Sequence, residues 1–440
     1  MTLIIAPPLG FEISYPLHLA SLAGALKKWG IPLRGLDLRF YLPLDENSLK
    51  NLIVGEIKKT SPQIAVLDAS IRNVSTVSKI IAMLKEHNSD IPVIAVGCAS
   101  AIDPELFVQQ LGADAAITGD AEIVLPQLIG ALLSGNIPAL KGVAFKDHKG
   151  NIVVTPPEFH RLDDFPPADR NAFPLERYAT NPLRRKLKSV AIEMTRGCPF
   201  NCSFCPVPKR YGRGWRARSA ESAVGEMERL IADFGANNFL IEDEQPLARL
   251  DWFYELCALI RKHLPQARFE FPNGLRPELL DDNLLNELSS IGCRHIALGV
   301  ESGVERVREA INRPIETRRL RKIIKSARRL GMIVSGYFII GLPEGGGVET
   351  SATLLAARRL PFDYSHISVF RDWERLGAEE EERARRLSYL RGAGYLCIYA
   401  SPTRAMRLIR RGEISLSNAP FAFGRFAEWL FAGSIGGGGW

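Results

Sequence analysis

The sequence has 440 residues, of which 46% are hydrophobic and 24% are charged, and its formal net charge is +7. This length exceeds one ordinary hydrophobic core, so we expect two globular domains and a C-terminal extension. The modest charge is spread along the chain, which argues against a nucleic-acid-binding protein, and no DNA partner is expected. The N-terminus lacks a signal-peptide pattern and no run of about 18 apolar residues occurs, so we predict a cytoplasmic protein without a transmembrane segment.

The first third of the chain alternates short apolar runs with amphipathic stretches of helical length. The predicted strands are 2–6, 33–38, 64–67, 93–96 and 115–118, and the predicted helices are 17–29, 47–58, 74–87 and 104–111. This alternation predicts an α/β domain, a doubly wound parallel sheet with helices on both faces, over residues 1–146.

Ligands of doubly wound sheets bind beyond the carboxyl ends of the strands. In this chain the predicted strand ends carry Gly10, Ser70, Gly97, Gly119 and Glu122, which are candidate ligand-binding residues. Glycines at these positions would let a flat, bulky ligand approach the backbone. The pattern by itself has low specificity, because any doubly wound domain carries small residues at its strand ends.

Residues 147–188 form an irregular stretch with six prolines, which predicts a linker between domains. Directly after it, Cys198, Cys202 and Cys205 fall within eight residues and follow a buried apolar run. A structural zinc site usually takes four ligands in two separated pairs, and disulfides do not suit three cysteines on one loop. A [4Fe–4S] cluster fits better, because three thiolates leave one iron open to an exogenous ligand. Zinc and chance clustering are the minor alternatives.

The spacing Cys-x3-Cys-x2-Cys, with Phe204 before the last cysteine, resembles the signature of radical S-adenosylmethionine (radical SAM) enzymes. The flanking stretches 195–199 and 215–219 strengthen the resemblance. It implies that the three cysteines are the metal ligands and catalytic residues, and that SAM chelates the open iron. An electron from the cluster then cleaves SAM to a 5′-deoxyadenosyl radical. The resemblance also implies an electron donor such as flavodoxin or ferredoxin.

Further strand and helix patterns follow the cysteine loop. The predicted strands are 238–241, 268–271, 295–300, 333–340 and 366–370, separated by helices 220–234, 249–263, 282–290 and 316–330. With the strand at Ser189 they predict a partial (β/α)6 barrel over residues 189–371, whose chemistry lies at the carboxyl ends of the strands.

The family resemblance implies that these strand ends hold SAM. Either Asp243 or Glu244 would bind its amino group, since an ammonium requires anionic acceptors. Glu301 and Ser302 would lie near the ribose and carboxylate, and Gly341 would flank the adenine. The full set of candidates in the barrel is Phe204, Asp243, Glu244, Asn273, Arg276, Glu301, Ser302 and Gly341. The stretch 344–347 departs from the family pattern after Gly341.

The N-terminal domain resembles the cobalamin-binding domain that precedes the radical SAM barrel in one large subfamily. The resemblance rests on stretches 7–10, 15–23 and 119–122, and it implies cobalamin as a cofactor. No Asp-x-His-x-x-Gly motif occurs, so bound cobalamin is expected to have no protein histidine on cobalt, and His18 is interpreted as a packing residue. In the alternative, the domain has lost cobalamin and only shapes the substrate cleft.

The resemblance covers about residues 1–400, and we expect residues 372–440 to form a helical extension. It implies methylation of an unactivated carbon in a small-molecule, lipid or natural-product substrate. One SAM provides the radical, methylcobalamin delivers the methyl group and a second SAM remethylates the cobalt. Radical cyclisation or rearrangement, with or without cobalamin, is the alternative reaction. A non-catalytic Fe–S or corrinoid-binding protein is the alternative of another class.

Overall fold

A computed structural model describes residues 1–8, 14–41, 45–135, 140–178, 187–372, 374, 378–399 and 406. The chain divides into two compact units. The first is Met1–Tyr178 with Pro206–Gly212, and the second is Ala179–Cys205 with Arg213–Trp440. Within the described ranges, no helix has both the length and the apolar character needed to cross a lipid bilayer.

The first unit is built on a seven-stranded sheet in the order β2-β1-β3-β4-β5-β6-β7. Its strands are β1 (Thr2–Ala6), β2 (Leu33–Asp37), β3 (Ile64–Asp68), β4 (Val93–Val96), β5 (Ala115–Ile117), β6 (Val143–Lys146) and β7 (Ile152–Val154). The first five strands run parallel, which confirms the predicted doubly wound fold. The last two strands add an antiparallel hairpin at one edge, which was not predicted.

Helices cover both faces of this sheet. They are α1 (Leu17–Lys28), α2 (Glu46–Thr60), α3 (Val74–His87), α4 (Cys98–Ile102) and α5 (Ala121–Leu133), and Pro206–Gly212 contributes α6 (Val207–Tyr211). The helix predicted over 104–111 is present at 104–110, but it takes the π-helical form over Leu106–Gln110. Pro104 lacks a backbone N–H, and the Asp103 side chain accepts a hydrogen bond from the Leu106 N–H at 3.0 Å, so a new segment begins there.

Alternate residues of the central strands pack into two separate apolar layers. Leu3 and Leu67 face one layer, and Ile4 and Val66 face the other. Burial on both faces explains why these strands are continuous apolar runs rather than alternating ones.

The predicted linker over 147–188 begins inside the β6–β7 hairpin, and its residues up to Tyr178 belong to the first unit. They run close against the sheet and its helices. The backbone carbonyl of Pro167 approaches Gly24 of α1 so closely that a β-carbon would collide with it. The prolines therefore mark a segment that packs tightly on the first unit, and not only a connection between domains.

The second unit is a six-stranded parallel sheet in the order β15-β14-β13-β12-β11-β8, which confirms the predicted partial barrel. Its strands are β8 (Ser189–Ile192), β11 (Asn238–Ile241), β12 (Arg268–Leu275), β13 (Cys293–Glu301), β14 (Ile333–Ile340) and β15 (Tyr364–Val369). A separate antiparallel ribbon pairs β9 (Thr195–Arg196) with β10 (Arg216–Ala217). This ribbon closes the base of the cysteine loop.

The helices of the second unit follow the strands in turn. They are α7 (Ala220–Phe234), α8 (Leu250–His263), α9 (Asp282–Ser290), α10 (Glu305–Ala310), α11 (Thr317–Arg329), α12 (Gly347–Arg359) and α13 (Ala378–Tyr399). The side chains of Ser219 and Asp281 cap the first turns of α7 and α9, as the sequence favours. Helix α13 agrees with the expected helical extension, and the apolar stretch 421–431 lies outside the described residues.

Side chains from five neighbouring strands of this sheet form a continuous polar row. Asn238 Nδ2 donates to Ser189 Oγ at 2.8 Å and to Glu270 Oε1 at 2.9 Å. His295 lies between Glu270 Oε2, at 3.2 Å, and Ser335 Oγ, at 2.8 Å. Each of the strands β8, β11, β12, β13 and β14 contributes one residue. Side-chain contacts therefore join these five strands in addition to their backbone hydrogen bonds.

Candidate active site

The cysteine loop leaves the carboxyl end of β8 and holds three partly buried thiols, Cys198, Cys202 and Cys205. Gly197, at φ 86°, makes the left-handed turn that starts the loop. None of the seven cysteines, all of which lie in described ranges, forms a disulfide. Burial raises the pKa of the Cys198 thiol, although the Phe200 backbone N–H opposes this.

Two guanidinium groups face Cys202. Arg276 Nη1, at the end of β12, donates to Cys202 Sγ at 3.1 Å, and its guanidinium carbon lies 4.1 Å from the centre of the Phe200 ring. The positive charge of Arg313 also lies close enough to Cys202 to interact with it. Positive charge beside a thiol favours the thiolate, which is the form that binds iron. Arg276 was predicted as a site residue, whereas Arg313 was not, because a lone arginine between Asn312 and Pro314 carries no sequence signal.

The loop is also fixed from its outer side. Asn312 Nδ2 donates to the Asn201 carbonyl at 2.8 Å, and Ser203 Oγ donates to Glu344 Oε1 at 2.6 Å. The ring of Phe204 packs against Val307, Ile311 and Leu342. Phe204 therefore anchors the loop in an apolar cluster, which explains why an aromatic residue precedes the last cysteine.

Asp243, one of the two acids predicted to bind the SAM amino group, is 2% exposed and holds the start of the cysteine loop. Its two carboxylate oxygens accept from the Met194 N–H and from the Thr195 hydroxyl, each at 2.8 Å. Burial raises its pKa well above the usual range, although these two donors oppose the shift. Glu244 Oε2 accepts from the Gly197 N–H at 3.3 Å, so both predicted acids contact the loop backbone.

Glu242 and Glu193 are two neighbouring carboxylates that were not predicted. Ile192 and Ile241 are register partners, so Glu193 and Glu242 leave adjacent strands at the same level. Burial and repulsion from Glu193 raise the pKa of Glu242 to about 7. Glu193 pairs with Arg196 at 2.7 Å, and exposed Asn273 donates to the Glu242 carbonyl at 2.7 Å. The sequence could have indicated this pair, because each of the two acids directly follows one of two adjacent strands.

Glu301 ends β13 in a left-handed conformation, with φ at 64°. This conformation is rare for a residue with a side chain, and such residues cluster at functional sites. The register of β13 against β14 shifts between Gly299 and Glu301, which redirects the side chain. Glu301 lies 3.3 Å from Arg313 Nη2, which also donates to the Gly299 carbonyl at 2.6 Å. Burial raises the pKa of Glu301, although Arg313 opposes this.

Ser302 and Gly341, both predicted near SAM, make contacts within the fold. The Ser302 hydroxyl is buried, accepts from the Val304 N–H at 3.1 Å and lies 3.3 Å from the Thr353 hydroxyl. Gly341 has φ 80°, a left-handed conformation that side chains rarely adopt, and it faces the end of the Leu387 side chain of α13. The backbone conformation therefore favours glycine at this position.

The predicted residues of the first unit lie at the carboxyl edge of its sheet, except that Gly10 lies outside the described residues. At Gly97, φ is 108°, and a β-carbon would lie 2.6 Å from Asp68 Oδ1. A β-carbon on Gly119 would lie 3.1 Å from the Glu158 carbonyl oxygen, so the chain after β7 covers that glycine. Glu122 is buried in the first turn of α5.

Two buried hydroxyls at this edge fit a ligand. Ser70 follows β3 and Thr118 follows β5, and neither side-chain oxygen has a hydrogen-bond partner among the described residues. Unpaired buried hydroxyls are costly, and a polar ligand would satisfy them. Ser70 was predicted, and Thr118 was missed although it directly follows a strand.

The arrangement of donors fits a cluster better than a single metal ion. Across the described ranges, no three His, Cys, Asp or Glu side chains come close enough together to hold one ion. A [4Fe–4S] cluster does not require this, because each thiolate binds a different iron. Three thiols on one loop, beside two arginines, suit such a cluster.

Comparison with known proteins gives a family for the barrel. The model of the radical SAM superfamily matches residues 192–349. An uncharacterized methyltransferase of Pyrococcus horikoshii is 24% identical over 80% of this chain and 75% of its own. The anaerobic magnesium-protoporphyrin IX monomethyl ester cyclase of Rubrivivax gelatinosus is 25% identical over 81% and 64% of the two chains. Cytidylyl-2-hydroxyethylphosphonate methyltransferase of Streptomyces wedmorensis is 27% identical over 81% and 74%.

Among solved structures, the fold matches that of TsrM from Kitasatospora setae, a radical SAM methyltransferase. The TM-score is 0.68 at 20% sequence identity, and the match covers 87% of this chain and 76% of that protein. A second structure of TsrM contains cobalamin and a [4Fe–4S] cluster and matches with the same TM-score. The fold is thus shared over most of the chain.

Proposed function

We propose that this chain, which belongs to the radical SAM superfamily and is an enzyme of that class, transfers a methyl group to an unactivated carbon of a small molecule with the help of cobalamin. The observation that carries the proposal is the combination of two sites in one chain. One is the three-cysteine loop beside Arg276 and Arg313, and the other is the sheet edge with the unpartnered hydroxyls of Ser70 and Thr118.

In the second unit, Cys198, Cys202 and Cys205 would hold the cluster, and with SAM it supplies a 5′-deoxyadenosyl radical that removes a hydrogen atom from substrate. The arginines at Cys202 offset the negative charge of the thiolates. Asp243 keeps the loop in place through Met194 and Thr195.

We assign the SAM amino group to Glu242 rather than to Asp243. Both oxygens of Asp243 already accept hydrogen bonds from the cysteine loop, whereas Glu242 and Glu193 form an acidic pair at the carboxyl ends of adjacent strands. Repulsion between two carboxylates is relieved when a cation binds next to them, so this pair favours an ammonium group.

In the first unit, cobalamin would lie over the carboxyl edge of the sheet, where Ser70 and Thr118 offer hydroxyls to its amide side chains. Glu158 passes close to Gly119 at the β5 end of the same edge. Two of the three relatives described above are named methyltransferases and one is named a cyclase, so methyl transfer is favoured over cyclisation.

The test is anoxic reconstitution of the protein with iron, sulfide and hydroxocobalamin, followed by reduction with SAM present. We expect about four irons per chain, bound corrinoid and release of 5′-deoxyadenosine, and Cys202→Ala abolishes the iron and the nucleoside. Cys257→Ala, at a buried cysteine of α8, is the matched control and keeps both. With SAM carrying a deuterated methyl group and a cell extract, a product heavier by that group supports methyl transfer. A chain that binds iron and cleaves SAM but retains no corrinoid would contradict the cobalamin part of the proposal.

A further inference from the structure

The outer side of helix α11 is strongly basic. The helix has the sequence TRRLRKIIKSARR, with seven arginines or lysines and no acid. Its apolar residues Leu320, Ile323 and Ile324 are buried, so the cations lie on the solvent side. We call the exposed cations of α11 the basic face, which comprises Arg318, Arg319, Arg321, Lys322, Lys325 and Arg329.

This pattern of charge opposes the stability of the helix itself. Arg318 and Arg319 lie in the first turn, where the helix dipole favours acids, and that turn contains no acid. Arg318 and Lys322 are like charges four residues apart, as are Arg321 and Lys325, and such pairs repel each other. An anionic partner on the basic face would offset both effects.

Within the described residues, only part of the charge on the basic face is balanced. Lys322 Nζ lies 3.2 Å from Asp282 Oδ2 on the neighbouring helix α9. Arg318, Arg321 and Lys325 form no salt bridge or hydrogen bond with any residue that the structure describes. Their charges are therefore free to bind a partner from solution.

The basic face begins beside the cysteine loop. Arg276 Nη1 donates to Cys202 Sγ at 3.1 Å, and Arg276 Nη2 donates to Glu278 Oε1 at 3.3 Å. Arg319 Nη2, in the first turn of α11, donates to the Glu278 carbonyl at 2.9 Å. A path of two residues, Arg276 and Glu278, thus connects Cys202 to the first turn of α11.

The cysteine loop is also exposed near this end of α11. Asn201 is exposed, and its carbonyl accepts from Asn312 Nδ2 at 2.8 Å. Asn312 is exposed too and lies shortly before α11 in the chain. A protein bound to the first turns of the basic face would therefore lie close to the outer side of the cysteine loop.

We propose that the basic face of α11 docks an acidic one-electron carrier protein, with a flavin or iron–sulfur centre, that reduces the cluster of the cysteine loop. The carrier is oxidised by one electron and the cluster is reduced by one, and SAM takes up that electron when it is cleaved to methionine and the 5′-deoxyadenosyl radical. Opposite charges steer such an encounter and orient the partners. The inference rests on the proposed function, because it requires a cluster at Cys198, Cys202 and Cys205.

Two other anionic partners fit the basic face less well. Proteins usually stack the bases of single-stranded nucleic acids on aromatic side chains, and α11 contains none. A basic amphipathic helix on a membrane inserts its apolar side into the lipid, whereas Leu320, Ile323 and Ile324 are buried in the fold. Both partners are outcomes of the test below.

The experiment uses the full-length, cluster-loaded protein with two probes, flavodoxin and an acidic ferredoxin. Calorimetric titration with the oxidised probes measures binding without turnover, and stopped-flow absorbance with the reduced probes measures reduction of the cluster. In the triple variant Arg318→Glu, Arg321→Glu and Lys325→Glu, we expect binding to weaken and reduction to slow by about 10- to 100-fold at low salt. Dithionite, a small reductant, should reduce the cluster of this variant as fast as that of the wild type.

Carbodiimide cross-linking, which joins carboxylates to amines, gives a second readout. Mass spectrometry should find the carrier attached to Lys322 or Lys325 of the wild type. The matched control is the triple variant Arg229→Glu, Lys262→Glu and Arg359→Glu, which reverses three exposed cations in the C-terminal halves of α7, α8 and α12. It changes the net charge equally and should bind and accept electrons like the wild type.

Equal losses in the two triple variants, or no loss in the α11 variant, would overturn the inference. A wild-type cluster that dithionite reduces but neither carrier reduces would overturn it as well, and the proposed function would stand. Tighter binding of mixed-sequence single-stranded RNA or of phosphatidylglycerol vesicles than of either carrier would assign the basic face to that partner instead. If no cluster assembles, the proposed function fails together with this inference.

Discussion

Glu242 has a raised pKa because it is desolvated beside a second carboxylate, and its proposed role at the SAM amino group would make SAM binding dependent on pH. The pKa of about 7 means that the carboxylate is largely protonated below that pH and ionised above it. Only the ionised form attracts the SAM ammonium strongly. We therefore predict that the affinity of the cluster-loaded protein for SAM rises as the pH increases through 7.

Glu242→Gln should remove most of this dependence and weaken SAM binding at pH 8 by about 10- to 100-fold, the worth of one charge-assisted hydrogen bond. Anoxic calorimetric titration with SAM measures both. The comparison variant is Glu193→Gln, which removes the repulsion and moves the pH midpoint of binding downward. A Glu242→Gln protein that binds SAM as well as the wild type at pH 8 would contradict the assignment.

Arg313 lies between Cys202 and Glu301. Its removal should lower the free energy of unfolding even in protein without a cofactor. Arg313→Met leaves Glu301 buried and unpaired, so we predict a loss of about 3–5 kcal/mol in the free energy of unfolding. Urea denaturation of the cluster-free protein measures this. Adding Glu301→Gln to that variant removes the buried charge, and the double variant should recover at least about 1 kcal/mol. Strictly additive losses would mean that the two side chains do not interact.

At the residue scale, the sequence predicted single positions where a strand end and a motif coincide. Cys198, Cys202, Cys205 and Arg276 were predicted this way, and the structure brings Cys202 and Arg276 into contact. Arg313 was not predicted, because its contacts to Gly299 and Glu301 are remote in sequence. Asp243 was placed in the correct segment, but its hydrogen bonds to Met194 and Thr195 depend on how the turn after β11 faces the turn after β8.

At the scale of elements, the polar row through β8, β11, β12, β13 and β14 should behave as one cooperative feature. Glu270 accepts from Asn238 and faces His295, so Glu270→Leu removes one of the two polar partners of each of these side chains. We predict a loss of about 2–4 kcal/mol in unfolding free energy. Glu270→Gln keeps one acceptor oxygen and should lose less. Urea denaturation compares the two variants, and a Glu270→Leu protein as stable as the wild type would show that the row contributes little.

Helices with a clear apolar face and strands that are long apolar runs were predictable from the sequence, and short or irregular elements were not. Strands such as Thr2–Ala6 and Ile333–Ile340 are continuous apolar runs because both of their faces are buried. The β6–β7 hairpin was missed because its strands have only four and three residues. The two-residue strands β9 and β10 exist only because the loop between them folds back, which no local pattern records.

At the scale of the whole molecule, each of the two units has its own sheet and core. We predict two transitions in the thermal unfolding of the protein, because units with separate cores need not unfold together. Cobalamin at about 100 times its dissociation constant should stabilise only the first unit, by about 2.7 kcal/mol, and SAM only the second. Scanning calorimetry with each ligand separately measures this. A single transition shifted equally by both ligands would contradict it.

The stretch Pro206–Gly212 belongs to the first unit although its sequence lies inside the second. Tyr211 is buried there, and the ring of Phe159 lies 3.4 Å from the position that a β-carbon on Gly212 would take. No single cut in the gene can therefore separate the two halves cleanly. A fragment ending at residue 178 would lack one of its own packing pieces, and a chimera that exchanges N-terminal halves between relatives would have to carry this heptapeptide along with the donor.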